Sequence, residues 1–414
     1  MRKSLNHLSE VMGFQSSFVQ GFCTLSVCAL AISVNLGVAL VSLSAGMMLL
    51  ALIFTLISKQ SLGDSEIIES NLTVKIIFFS IAWFLISTAW SIADWPQVGS
   101  ELVRYSRLLI VPLTLFLIRK RAQAMLVLHA CVLSHCFVIL SSILLWMSVP
   151  VFWATSDWAT INFTPFTSSL EQPIMSALIF AVLWYFRDHF CQLWSKKIVY
   201  LILFFILIDV FFLMIGRSGI LSMIVVLTLI IGFAMRPKLR YLVVLVPFVI
   251  FGILFLVSSR FEQRVTEIPY QIAEYEKGKL ETSQAQRLEF WNRSVQAVKQ
   301  RPWLGSGVGS WPSAYQFALN GEIGLKADSP HQQFFLWWVE GGAIGLTCLI
   351  CFFVCIYLDS LKLEQRAKEA VITVLVVLIF TSLMNCPLQG AGICEFFSVI
   401  IASLMVFRES GKSI

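Results

Sequence analysis

His331 stands where a polar stretch, ADSPHQQ, runs into an apolar one, FFLWWV. An imidazole at such a boundary can titrate near neutrality and change protonation at modest cost. That suits it to take a proton from a hydroxyl nucleophile. The same position also suits a histidine that does no more than cap or hydrogen-bond the start of a helix. Arg217 lies between Gly216 and Ser218 at the mouth of two apolar segments, and Arg287 opens the polar run RLEFWNRS. Together they could form a two-pronged guanidinium site for a diphosphate, because arginine offers planar, permanently charged donors that match phosphate oxygens in pairs. Taken singly, each is equally an interfacial side chain snorkelling toward water.

Other residues carry weaker signals. WLGSGVGSW places Gly305, Gly307 and Gly309 between aromatic residues. These glycines permit a tight backbone path that could bring amides to an anion, or simply make a turn. No preceding strand and no GKS or GKT sequence accompanies them, so the phosphate-loop pattern is incomplete. Glu340, Glu395 and Asp209 sit at or within apolar runs, where an ionisable group is expensive and marks either a functional site or a polar tie between helices. Cys348 and Cys351 have CxxC spacing, but no second cysteine pair or histidine cluster completes a zinc set. No metal site, cofactor or disulfide framework is expected.

The elements that must position these groups are membrane helices. The chain has 414 residues, 58% hydrophobic and 13% charged, with a mean hydropathy of +0.82. Such a composition does not make a water-soluble globule. Apolar stretches of spanning length fall near residues 15–36, 38–57, 73–91, 104–118, 124–148, 172–187, 196–214, 216–234, 239–257, 332–357, 370–385 and 390–407. The expectation is an all-α integral membrane protein with about twelve transmembrane helices, each needing about 20 apolar residues. It divides into an N-terminal bundle of about nine helices over 1–257, a polar loop over 258–330, and about three helices with a tail over 331–414.

Basic residues set the orientation. Arg2 and Lys3, Lys59, Arg119–Arg121, Arg187 with Lys196 and Lys197, Arg236–Arg240, Lys362–Lys368, and Arg408 with Lys412 all fall on one side under alternate connection. Both termini are then cytoplasmic, and 258–330 lies outside with the Gly216–Ser218 turn. The net charge of +6 is largely this bias and does not indicate nucleic acid. No cleavable signal peptide is evident. Within the loop, Phe261, Val265 and Ile268, then Leu288, Trp291 and Val295, recur near helical spacing. One or two amphipathic helices on the membrane face follow, the firmer from about Ser283 to Gln300 and ending before Arg301–Pro302.

The order of GRSG, then QRLEFWNRSVQAVKQRPWLGSGVGSW, then SPHQQFFLWWVEGGAIGL resembles the O-antigen ligase and polymerase family of bacterial envelope glycan proteins. The resemblance is close over about 200–357 and looser elsewhere. It implies transfer of a glycan from an undecaprenyl-diphosphate carrier at the periplasmic face of the inner membrane. The family's membrane-mouth arginine falls on Arg217, its loop-helix arginine on Arg287 and its essential histidine on His331. Gln332 stands where the family commonly has asparagine. The implied reaction is an inverting, metal-independent glycosyl transfer, with His331 as general base and the two arginines neutralising the departing diphosphate. Arg264, Arg293 and Arg301 could enlarge the anionic pocket, bind an acceptor phosphate, or only aid solubility. Trp291, Trp303 and Trp311 could face sugars or anchor the interface.

In the ligase branch the acceptor is a hydroxyl of lipid A-core oligosaccharide; in the polymerase branch it is another lipid-linked unit. The compact loop and its histidine segment favour the ligase. Pilin oligosaccharide transferases rank third, being usually larger. A secondary transporter also fits many spans with a few intramembrane charges, but no inverted repeat is visible and the candidate charges gather on one face.

Overall fold

The computed structural model describes residues 18–57, 66–154, 156–214, 216–321 and 324–409. Arg2, Lys3, Lys59 and Lys412 of the charge pattern lie outside the described residues. The chain is all-helical in its main elements: α1 (Phe18–Ser33), α2 (Val38–Ile57), α3 (Leu72–Ser87), α4 (Trp95–Ser106), α5 (Ile110–Leu117), α6 (Arg121–Trp146), α7 (Gln172–Tyr185), α8 (Lys196–Ile208), α9 (Arg217–Ala234), α10 (Leu245–Val257), α11 (Ser259–Glu276), α12 (Ser283–Gln300), α13 (Trp311–Ala318), α14 (Gln333–Ser360), α15 (Gln365–Ser382) and α16 (Ile393–Met405).

Local chemistry sets many of the starts. Asn71, Asp94, Ser195, Ser258, Thr282 and Gln332 each accept a hydrogen bond from a backbone N–H in the first turn of the helix that follows. This satisfies one of the donors that a helix start leaves unpaired. The expected loop helix runs from Ser283 to Gln300, and a second, Ser259–Glu276, precedes it.

Six helical segments among the described residues are long and apolar enough to cross a membrane: Val38–Ile57, Leu72–Trp90, Arg121–Trp146, Arg217–Ala234, Pro237–Val257 and Gln333–Ser360. A seventh is added if Gln172–Tyr185 and Arg187–Leu193, bent by 80°, form one broken span. The expectation of about twelve is therefore corrected to six or seven. The other apolar stretches do form helix, but in shorter or interrupted pieces. Residues 104–118 split into the end of α4, a 3-10 turn over Arg107–Leu109 and the short α5. Residues 196–214 end in a π-helical turn over Asp209–Leu213. α1 and α16 have 16 and 13 residues, and α15 begins with the polar run QRAKE.

The core that carries the site is built on α3, α4 and α14. Phe84 stacks on Tyr105 with ring centroids 3.9 Å apart, and Trp337 meets both edge-on at 5.1 and 5.6 Å. All three side chains are buried. At the far end of α14, Asp359 accepts hydrogen bonds from the Thr73 backbone N–H and hydroxyl at 2.8 and 2.9 Å and pairs with Lys362 at 3.0 Å. These ties lock α14 along α3 over their length.

α14 is broken at Gly342, whose φ of 65° and ψ of −161° are not helical. The 302–309 segment docks into that break. Ser306 N–H donates to Val339 O at 2.8 Å, Gly307 N–H to Glu340 O at 2.9 Å, and Ala343 N–H to Pro302 O at 2.9 Å. Backbone groups freed by the kink thus find partners, as they must where water is scarce.

Candidate active site

His331 follows Pro330 directly into the turn before α14, with its backbone in the left-handed region at φ 50°. A side chain held there is uncommon and marks a constrained position. Trp291 of α12 helps impose it by donating its indole N–H to Pro330 O at 3.1 Å. The capping role open to His331 falls instead to its neighbour. Gln332 Oε1 accepts from Phe335 N–H at 3.0 Å, while Gln333 Oε1 accepts from Leu388 N–H at 3.1 Å and ties in the turn after α15. The imidazole lies 6.0 Å from the Phe290 ring and lines a cavity of about 680 Å³. Among the described residues, no hydrogen bond engages its ring nitrogens. Surrounding protein and then the positive charge of Arg287 pull its pKa below the ordinary histidine value. At neutral pH the ring is accordingly an uncharged base.

The three leading residues come from three elements. Arg217 opens α9, where Gly216 and Gly219 let the turn press against α7: a Cβ on Gly216 would lie 2.3 Å from Ser169 O, and one on Gly219 2.2 Å from Pro173 Cβ. Its Nη2 donates to Gln271 of α11 at 3.4 Å, while its Nη1 is buried without a partner. Arg217 lines a second cavity, of about 260 Å³, together with Arg264, Gln263 and apolar Phe211, Phe212 and Phe261. Arg287 on α12 donates to Asn385 Oδ1 at 3.4 Å. Burial and then the nearby charge of Arg217 lower its pKa. Arg287 therefore feels the charge of Arg217, and His331 that of Arg287.

The remaining expected residues separate by what they touch. Arg293 is engaged by Glu289 Oε1 at 2.7 Å and Ala318 O at 3.0 Å, tying α12 to α13. Arg301 is exposed and lines neither cavity. Glu340 is buried and accepts from Tyr105 Oη at 2.8 Å and from the backbone N–H groups of Gly309 and Trp311. Gly305, Gly307 and Gly309 have φ of 71°, 93° and 75°. They press on the Glu340–Gly342 backbone, Ser91 and Gln97 respectively, so the loop's amides face protein. Glu395 pairs with Arg107 at 3.3 Å, and Asp209 accepts from Ser176 Oγ at 3.2 Å.

Sequence reasoning did not single out Glu171, Asn385, Gln389, Lys326 or Asp328, and it read Arg104 and Arg107 only as the start of a span. All seven line the larger cavity. The available signal was NCPLQGAG, a polar, proline- and glycine-bearing turn between two apolar stretches on the side of the loop. Among the described residues no group of three or more His, Cys, Asp or Glu side chains is arranged to hold a metal ion.

No curated protein matches the chain. The family model described as O-antigen ligase matches residues 202–350, a stretch containing Arg217, Arg264, Arg287 and His331 but not Arg104, Glu171 or Asn385. Within an all-helical, multi-pass membrane protein, residues 202–350 are thus similar to the O-antigen ligase family.

Proposed function

We propose that the protein is an O-antigen ligase, moving a glycan from undecaprenyl diphosphate to a hydroxyl of lipid A-core oligosaccharide on the periplasmic face of the bacterial inner membrane. The observation that carries this reading is a pair of unlike cavities, one lined by Arg217 and the other by His331, with Arg287 electrostatically coupled to both residues. The smaller combines Arg217 and Arg264 with aromatic and aliphatic walls, which suits a phosphate group joined to a lipid chain. The larger is lined by charged, amide and hydroxyl groups and includes His331, which suits carbohydrate. Membrane lipids cover the apolar outer faces, and no nucleic acid is involved.

In this mechanism neutral His331 takes the proton from the acceptor hydroxyl as its oxygen attacks the anomeric carbon. The bond to the carrier diphosphate breaks with inversion. Arg217 and Arg287 hold the leaving diphosphate as its charge grows, acting in a site where guanidinium groups are partly withdrawn from water. The cations of this scheme are arginines, so the reaction is expected to proceed without an added metal ion.

The test is transfer by purified protein in lipid, with an undecaprenyl-diphosphate oligosaccharide donor and either lipid A-core or a second lipid-linked glycan as acceptor. Product on lipid A-core, insensitive to chelator and reduced about 10²- to 10⁴-fold by His331→Ala, is expected. Longer carrier-linked chains would make it a polymerase instead. Absence of product with both acceptors would redirect attention to protein acceptors or to transport.

A further inference from the structure

The larger cavity carries more charge than the transfer step uses. Arg104 pairs with Glu101 at 3.1 Å and Arg107 with Glu395 at 3.3 Å. Gln389 bridges them, donating its side-chain amide N–H to Glu101 while its backbone carbonyl accepts from Arg107. Each guanidinium on this wall therefore already faces a carboxylate. Lys326 and Asp328, of opposite sign and two residues apart, stand exposed on the loop before His331.

Glu171 has no such match. It lines the same cavity at the start of α7, forms no ion pair among the described residues, and takes hydrogen bonds from Ser168 alone. Gly390 opposite it leaves the space open, since a Cβ there would come within 2.8 Å of Glu171 Oε1. Asn385 supplies the complementary group. Its Oδ1 is taken by Arg287, whereas its Nδ2 is buried and unpartnered.

A phosphate or carboxylate approaching the wall beside Glu171 would meet Arg104 and Arg107 already compensated and a carboxylate that repels it. A neutral sugar offers hydroxyl donors to Glu171 and hydroxyl acceptors to Asn385 Nδ2. Charge-assisted hydrogen bonds of this kind are the stronger class, and a repulsive element is an effective way to reject the wrong partner. We propose that Glu171 is the specificity-determining residue of an acceptor subsite that takes a neutral sugar, its carboxylate accepting from sugar hydroxyls while Asn385 donates its free amide N–H. The contact with Arg287 ties this subsite to the leaving-group site. The inference rests on the glycan-transfer reading above.

The test uses the full-length protein in lipid, an undecaprenyl-diphosphate oligosaccharide donor, and two lipid A-core acceptors differing only in whether the terminal sugar is neutral or phosphorylated. The wild type should prefer the neutral acceptor. Glu171→Gln, which preserves shape, should raise the neutral acceptor's KM about 10- to 100-fold while leaving donor KM and kcat within about threefold. It should also narrow the discrimination against the phosphorylated acceptor. A merely structural role would lower kcat or folded yield without moving acceptor choice; Glu171→Asp, retaining the charge, should keep the preference. Wild-type transfer with unchanged acceptor KM and selectivity in Glu171→Gln overturns the subsite and leaves the transfer reading intact, as does a wild-type preference for the phosphorylated sugar. No wild-type transfer to either acceptor overturns both.

Discussion

His331 joins a strained backbone to an unoccupied proton-accepting side chain. Its left-handed φ of 50° costs about 1–2 kcal/mol for a residue bearing a Cβ, and the Trp291 contact with Pro330 helps hold the turn in place. Withdrawal from water by the surrounding protein disfavours imidazolium, and the Arg287 guanidinium acts in the same direction. The base form is thus populated at neutral pH and lost only when pH falls through a value below the ordinary 6.5. The acid limb of kcat/KM for transfer should accordingly lie below 6.5. Arg287→Gln removes the charge that depresses it, so in that variant the limb should move upward even as the overall rate falls. A pH–rate series on both proteins checks this. An unchanged limb would mean that Arg287 does not set the protonation of His331.

At the scale of elements, the 302–309 segment and the break in α14 form one unit. Gly305 and Gly307 occupy left-handed backbone, and a Cβ on either would lie 2.4 Å from Gly342 N or 2.2 Å from Ser91 Cα. The obstructing atoms are backbone and cannot rotate away. Gly305→Ala and Gly307→Ala should each lose about 1–2 kcal/mol from the backbone alone and about 1–3 kcal/mol more from overpacking. A lowered thermal midpoint in detergent would register it, whereas Gly278→Ala, at φ 77° but in open space, should show only the smaller loss. Composition and turn chemistry made the helix Ser283–Gln300 and the glycine turn legible in the sequence. Helix continuity was not legible, because hydropathy reports what a stretch can bury and not where its hydrogen-bond ladder breaks. The 80° bend near Phe186, the π turn at Asp209 and the 3-10 turn at Arg107 each lie inside an apolar run that reads as one span. The kink at Gly342 escaped for the same reason, although the paired glycines in VEGGAIG were a visible cue.

On the scale of the whole molecule, the site draws on segments more than two hundred residues apart, from Arg104 to Asn385. Arg217, Arg287 and His331 could be read from the chain because a charge or imidazole at an apolar boundary is conspicuous. Glu171 and Asn385 are ordinary polar residues at helix ends, and only tertiary packing shows that they meet one cavity. Their convergence also bears on sidedness. The α9 start, the α11 and α12 helices, the 385–393 turn and the α7 start all meet around the two cavities, whereas Arg236, Lys238 and Arg240 belong to the connection between α9 and α10 at the other end of α9. Under the proposed function, the positive-inside bias would put that basic connection in the cytoplasm and the candidate site on the periplasmic face, where a carrier-linked glycan would be met. Lys299 and Lys238 are both exposed and report on the two ends. In intact cells with a permeabilised outer membrane, a thiol reagent that does not cross the inner membrane should label Lys299→Cys above the wild-type background and leave Lys238→Cys at that background until the inner membrane is opened. The reverse pattern would turn the molecule over and remove the periplasmic assignment. Labelling of both before opening would mean that α9 does not cross the membrane, because its two ends would then share one side.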